Sequence, residues 1–399
     1  MASGSAVVRF DALPEPVLRV IMLELPVDER ARAACVCRGW RAFLSDVSLW
    51  QVLDLTLADG VAAERVTENL VRGAVARAAG GLRSVRFTYM PLLDVHTLCA
   101  ALGPGGAELQ QVNIDRQMRV RELHDLFAAA PRLQVLNADV EGQCTALLPV
   151  LRNVPPYGPL RVSNLEVQGR QQEEADVLAF AAAVASHESL KGLSLLHMNS
   201  ARGLNAMVDA AAERRVSLLS LNENCEMDAD FVPALARLLQ RGSLTKLVIG
   251  GGGFPHAPEA GVTELCAALR ACRMLTHLDV CLSPPGDANI STVTELLEAI
   301  ASLPALSLLD MWGSQVQNKA HFGQALGALL ATNLPNLRIL RVGHCGLGDE
   351  GVAPLLDDLV ANTHLHKLNC ENSGLSDAFY NDRLLPALAA LAARAELDA

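Results

Sequence analysis

Apolar positions in this chain fall into one recurring pattern, Leu-x-x-Leu-x-Leu with mostly polar residues between. It reads LRSVRF from Leu82, LQQVNI from Leu109, LQVLNA from Leu133, VSNLEV from Val162, LKGLSL from Leu190 and VSLLSL from Val216. It continues as LTKLVI from Leu244, LTHLDV from Leu275, LSLLDM from Leu306, LRILRV from Leu337 and LHKLNC from Leu365. Successive starts lie 24 to 31 residues apart, too regular for chance. Alternation at every second residue predicts a short strand with one buried face, and segments such as EEADVLAFAAAVAS and GDEGVAPLLDDLVANT carry Leu, Ala and Val at helical spacing. Each unit is therefore predicted as a strand, a turn and a full helix. Trp50-x-x-Leu53-x-Leu55 fits the same pattern, so an earlier unit begins at Trp50, and a helix from Arg383 to Arg394 closes the array.

Ahead of the repeats, LPEPVLRVIMLEL from Leu13 to Leu25 opens with prolines, where a helix tolerates them, and is then apolar nearly all round. Leu18, Ile21, Met22 and Leu25 make one face, while Val17, Val20 and Leu23 make a second, so this helix must be covered on two sides. Asp28 to Cys37 is predicted as a helix with Asp28 as N-cap, and Trp40, Phe43 and Leu44 supply a third apolar run. Three short helices in roughly 40 residues are too few for a self-sufficient core, which leaves apolar surface for another protein.

Composition narrows the class. With 51% hydrophobic and 19% charged residues the chain buries a large aliphatic core. It has no run of eighteen uncharged apolar residues, and MASGSAVVRFDALPEP lacks the regions of a secretory signal, so a soluble cytoplasmic or nuclear protein is expected. The net charge of −11, with a neutral first fifty residues, argues against nucleic acid or an anionic membrane as partner. Ten cysteines without a C-x-x-C pair read as reduced, buried thiols.

The residues from Leu13 to Thr56 resemble an F-box: the Leu13-Pro14 opening, Leu18 and Ile21, Leu25-Pro26, Val36-Cys37-Arg38-x-Trp40-Arg41, and the Asp46-x-x-Leu49-Trp50 close. The resemblance implies docking on a Skp-type adaptor and through it on a cullin scaffold, with Leu13, Pro14, Leu18, Ile21, Leu25 and Val36 at the adaptor contact. The long repeat resembles the ribonuclease-inhibitor type of leucine-rich repeat. That implies an α/β solenoid, a horseshoe with a concave parallel sheet and convex helices, preceded by a small all-α F-box. In the turns, the ladder Asn or Cys of that family stands at Asn224 and Cys345 but is Gly252, Ser283, Ser314 and Ser373 elsewhere, so some turns are expected to be imperfect. The expected organisation is a flexible tail at 1–8, the F-box at 9–50, an N-terminal capping repeat at 51–81, leucine-rich repeats at 82–380 and a capping helix at 381–399.

Residues between the motif leucines point away from the core, and stacking sets equal positions side by side. In the second half this presents His277, Asp279, Asp310, Trp312, Arg341, His344 and Lys367 as candidates for binding a protein substrate. Phe254 and His256, on a long insertion between strand and helix, could reach over the same face. No catalytic or metal site is expected: the histidines lack partners at ligand spacing, the phosphate-loop and nucleophile-elbow motifs are absent, and Phe254-Pro255 separates the Gly250 to Gly253 run from any helix start. The sequence thus points to a non-catalytic substrate receptor of a ubiquitin ligase without cofactor, the alternative being a repeat scaffold or inhibitor outside ubiquitination.

Overall fold

The computed structural model describes residues 13–55, 65–88, 93–154, 164–222, 230–250, 259–281, 290–314, 318–331, 334–359 and 362–397. The expected tail at 1–8, Phe254, His256 and the turn positions Asn224, Gly252 and Ser283 lie outside them. The chain divides into two compact units, residues 1–141 with 152–163 and residues 142–151 with 164–399. No described helix is long and apolar enough to cross a membrane.

The first unit opens with three short helices, α1 (Glu15–Glu24), α2 (Val27–Ala33) and α3 (Arg38–Phe43). Repeats follow as β1 (Val52–Leu55), α4 (Glu68–Ala78), β2 (Ser84–Thr88), α5 (Val95–Leu102), β3 (Gln111–Arg119), α6 (Val120–Ala129) and β4 (Val135–Gly142). The four strands pair in parallel in sequence order. Pro26 occupies the N-cap of α2 in place of Asp28, its fixed φ of −50° starting the helix two residues earlier. Asp28 instead lies in the first turn, buried and paired with Arg32. The predicted second helix also stops short, and Cys37 opens α3 by accepting the Trp40 N–H on Sγ at 3.4 Å. Two repeats depart from strand, turn and helix among the described residues: β3 runs nine residues straight into α6, with a register shift against β4 between Asn113 and Gln117, and β4 runs eight residues with only Gln143 before the next helix.

In the second unit α7 (Cys144–Leu151) precedes β5 (Asn164–Gln168), α8 (Glu174–Ser186), β6 (Gly192–Leu196), α9 (Ala201–Arg214), β7 (Leu218–Asn222), α10 (Phe231–Gln240), β8 (Lys246–Ile249) and α11 (Glu259–Ala271). Then come β9 (His277–Val280), α12 (Ile290–Ala301), β10 (Leu308–Asp310), α13 (Lys319–Ala331), β11 (Ile339–Arg341), α14 (Gly348–Leu359) and β12 (Lys367–Asn369). A short α15 (Asp377–Phe379), a π turn and α16 (Leu385–Leu397) end the chain, so the last helix starts two residues later than the sequence pattern suggested and runs beyond Arg394. Strands β5 to β12 pair in parallel, each with the next. Register sets Leu247, Leu278, Leu309, Leu340 and Leu368 in one buried row. Strand residues Leu247, Ile249, Leu278 and Val280 meet Leu235, Leu265, Leu269, Leu296 and Ile300 of the helices around a void of only about 10 Å³. The molecule is thus a helical N-terminal region followed by an α/β solenoid-like array.

Polar side chains reinforce the stack where the leucine pattern gave no hint of them. The second position of the motif is Ser217, Thr245, Thr276 and Ser307, and each hydroxyl donates to a backbone carbonyl of the preceding repeat, at 3.1, 2.9, 2.9 and 2.9 Å. In the turns, the Cys345 thiol donates to the Met311 carbonyl at 3.1 Å and the buried Ser373 hydroxyl to that of Val342 at 3.4 Å. Serine therefore serves at Ser373 as a donor between turns, where an imperfect turn was expected.

The helical module is joined to the first repeat by Trp50, which is fully buried. Its indole N–H donates to the Leu44 carbonyl at 2.8 Å, and the guanidinium groups of Arg30 and Arg77 lie 5.6 and 5.2 Å from its ring. Trp50→Ala is expected to destabilise the chain by about 3–5 kcal/mol, as truncation of a buried large aromatic does. Urea unfolding with limited proteolysis checks this; cleavage between residues 13 and 50 should accelerate first, and an unchanged midpoint would show that Trp50 is not the joint.

Candidate functional site

Two exposed surfaces carry the residues that the sequence singled out. On α1, Met22 is buried and Leu18, Ile21 and Leu25 are half-buried against the rest of the module, so the face at 18, 21, 22 and 25 mainly builds the fold. The second face stays open: Val17, Val20 and Leu23 are 43%, 61% and 47% exposed. Pro14 is also exposed, Leu13 is half-buried, and Val36 is 67% exposed between the exposed thiols of Cys35 and Cys37. Of the expected adaptor residues, then, Pro14 and Val36 stand free. Val17, Val20 and Leu23 were legible only as a second apolar stripe.

Polar contacts hold this surface in place. Arg19 on α1 pairs with Asp46 at 2.5 Å and with Glu15 at 3.4 Å, and it also bonds Ser48. The Ser48 backbone N–H, together with Arg19, holds the Asp46 carboxyl below its ordinary range. The carbonyls of Leu23 and Leu25, left without helical partners where α1 ends, accept from Arg30 at 2.9 and 3.1 Å, and Leu49 accepts from it at 2.6 Å. Burial lowers the pKa of Arg30.

The second surface is the outward side of β8 to β12. Register forms one row of Lys246, His277, Leu308, Ile339 and Lys367 and another of Val248, Asp279, Asp310, Arg341 and Asn369. His277 and Lys367 are exposed, Arg341 and Asp279 half-buried, and Asp310 buried. Asp310 is occupied within the fold: it accepts the Trp312 backbone N–H at 3.0 Å and pairs with Arg341 at 3.1 Å. Asp279 forms neither a hydrogen bond nor an ion pair among the described residues. Its burial and the neighbouring Asp310 push its carboxyl up to about 6, against the opposing pull of Lys246 and Arg341.

Trp312 is 40% exposed yet fixed in place. Its ring lies against His344, centroids 4.4 Å apart, and over Gly343, where a Cβ would come within 2.6 Å of the ring. His344 Nε2 in turn accepts from the Asn372 side-chain amide Nδ2 at 2.8 Å, and both residues hold positive φ, at 57° and 52°. Trp312 and His344 stand far apart as candidates in the sequence, and the packing of consecutive repeats brings them together. Gly343 is a site residue that sequence reasoning missed, although a glycine two residues past a strand and one repeat beyond a tryptophan marks such a close approach.

A polar cleft of about 660 Å³ in the first unit, lined by Asp94, His96, Gln117, Arg119, Arg121, Glu122, Asp125 and Glu141, is internally paired through His96 with Asp125 at 3.3 Å and Arg119 with Glu141 at 3.1 Å. Among the described residues no group of three His, Cys, Asp or Glu side chains is placed to hold a metal ion. Burial pushes the thiols of Cys99, Cys144 and Cys370 up to about 12, which makes them poor nucleophiles.

Residues 10–56 match the F-box-like family model. No curated protein matches the sequence. Among solved structures, the chain is similar to one in the crystal structure of the Rad7 and Elc1 complex from yeast, at 12% identity and a TM-score of 0.45, covering 75% of this chain and 74% of that one.

The position of Asp279 has a measurable consequence for stability. Its folded pKa lies above the ordinary 3.8, so the stability linked to its protonated form is complete below about pH 4 and is lost as pH rises through about 6. Asp279→Asn escapes that loss. After discounting for solvent screening of a half-exposed group, the variant should be more stable than the parent by about 1–2 kcal/mol at pH 8, with the gap closing near pH 4. Denaturant unfolding at both pH values tests this, and a gap that widens toward low pH would contradict it.

Proposed function

We propose that this chain is the non-catalytic substrate receptor of a Skp-cullin-F-box ubiquitin ligase. The helical module docks on the adaptor, and the sheet face of a leucine-rich-repeat array receives the protein to be ubiquitinated. The observation that carries this reading is the F-box-like match over residues 10–56 on a module that leaves Val17, Val20, Leu23 and Val36 open to solvent. Four large apolar side chains at this exposure cost the free chain solubility, and covering the half or so of each that remains exposed is worth about 1 kcal/mol per side chain to a complex.

Acting as a receptor requires position, not chemistry. A target held on the sheet is brought within reach of a ubiquitin-charged enzyme carried by the cullin, and its lysines react because their local concentration rises. Burial of Trp50 at the start of the first repeat supports this, since it leaves no free linker between docking helices and β1.

The test is retention of the full chain on an adaptor and cullin preparation, next to Val20→Glu/Leu23→Glu. The intact chain should be retained and the double variant lose at least about tenfold in affinity with an unchanged melting temperature, since both side chains are exposed. Bound adaptor should also slow alkylation of Cys35 and Cys37 by N-ethylmaleimide. Failure of the intact chain to bind would move the weight to a repeat scaffold that works outside ubiquitination.

A further inference from the structure

We propose that Cys35 and Cys37 form a redox-sensitive modification site on the docking surface, where a mixed disulfide with a small anionic disulfide of the glutathione type blocks the adaptor. This rests on the reading that the helical module docks on an adaptor, and it adds a regulation of that same site.

Burial sorts the thiols of this chain. Of the nine described cysteines six are buried and Cys281 is half-buried, while Cys35 and Cys37 are exposed and unbridged. Burial pushes Cys266 and Cys345 up to about 11 and Cys99, Cys144 and Cys370 up to about 12, so a dissolved disulfide finds its nucleophile at Cys35 and Cys37. Neither is strongly engaged: Cys35 Sγ donates to the Ala31 carbonyl at 3.8 Å, and Cys37 Sγ accepts the Trp40 N–H at 3.4 Å. The turn that carries them is itself fixed, since the N–H groups of Cys35 and Val36 donate to the carbonyls of Arg32 and Ala33 at 2.8 and 3.1 Å. Both thiols thus flank Val36, which at 67% is the most exposed large apolar side chain among the described residues.

Charge selects the reagent. The chain carries −11 overall, yet from Arg30 to Ser45 it has four arginines and no acidic residue. Arg38 and Arg41 are exposed and form no ion pair among the described residues. Arg41 donates through Nε to the Ala34 carbonyl at 3.3 Å, which holds its guanidinium at the turn that bears the thiols. Cations in that place attract a disulfide that carries carboxylates, as glutathione disulfide does. A cysteine thiolate attacks one sulfur of that reagent, the old S–S bond breaks as the new one forms, and the departing glutathione thiolate takes up the proton that the cysteine released. The product sets a bulky, charged tripeptide within one residue of Val36, where docking would have to strip it of water. Linkage requires the same coupling in both directions: an adaptor that shields the two thiols from a reagent binds less tightly once they are modified.

The experiment incubates the full chain with glutathione disulfide, maps the modified peptides by mass spectrometry and measures binding to a Skp-type adaptor, next to the untreated chain and Cys35→Ser/Cys37→Ser. The tryptic peptide 33–38 holds both thiols and should carry glutathione while the peptides of Cys99, Cys144 and Cys370 stay unmodified. Adaptor affinity of the treated chain should fall at least about tenfold at an unchanged melting temperature, and dithiothreitol should restore it. The double variant, in which serine keeps an acceptor for the Trp40 N–H, should bind equally with and without treatment. Glutathione absent from peptide 33–38, a treated chain that binds as the untreated one does, or a double variant that also loses binding on treatment would each overturn the proposal. An untreated chain that does not bind the adaptor overturns the docking reading and the switch together, and that control tells this outcome from failure of the switch alone.

Discussion

Parallel strands stacked about 4.8 Å apart impose the constraint on which the rest of this structure depends. A unit of one strand and one helix cannot bury its own leucines or pair its own strand, so each repeat is completed by its neighbours. The row Leu247, Leu278, Leu309, Leu340 and Leu368 is one result, and the hydroxyls of Ser217, Thr245, Thr276 and Ser307 reaching back one repeat are another. The spacing acts equally on the outward side. It brings Asp279 beside Asp310 and Asp310 beside Arg341, and thereby turns residues about thirty apart in sequence into one surface.

At the N-terminal end the same array must start somewhere without an exposed strand edge over apolar side chains. Trp50 solves part of that problem by belonging to both the helical module and the approach to β1. Arg30 solves another part. Where α1 ends before Pro26, the carbonyls of Leu23 and Leu25 have lost their helical donors, and one buried guanidinium serves both as well as Leu49 while facing the Trp50 ring. The guanidinium splits the task between its two terminal nitrogens, Nη1 serving Leu49 and Nη2 serving Leu23 and Leu25. Half of α1 is thus tied down from within, which is why its other half, with Val17, Val20 and Leu23, can remain uncovered without the module coming apart.

How much was legible depends on whether a feature is periodic. The Leu-x-x-Leu-x-Leu rhythm announced the strands, their order and the buried rows, because burial on one face requires alternation. The two apolar faces of α1 were also visible, but which of them the fold keeps was not, since that is decided by tertiary partners such as Arg30 and Ser48 that no local pattern reveals. The start of α2 at Pro26 and the straight passage from β3 into α6 were missed for a related reason. The first is set by the fixed φ of Pro26 and the second is accompanied by the Glu122 carboxylate capping the Arg119 N–H, single local features and not repeating ones.

Asp279 and Asp310 show where periodicity stops determining function. They occupy equal positions in consecutive repeats, on adjacent strands, with the same side chain. Asp310 has Arg341 as its next neighbour and a turn whose N–H points back at it, so its charge is absorbed by the fold. On the other side Asp279 has Val248, which offers nothing to a carboxylate, and among the described residues Asp279 forms no hydrogen bond or ion pair, with Lys246 and Arg341 acting on it only at longer range. A regular lattice of backbone positions fixes where side chains can meet. The differences between neighbouring repeats decide which of those meetings are already complete and which await a partner.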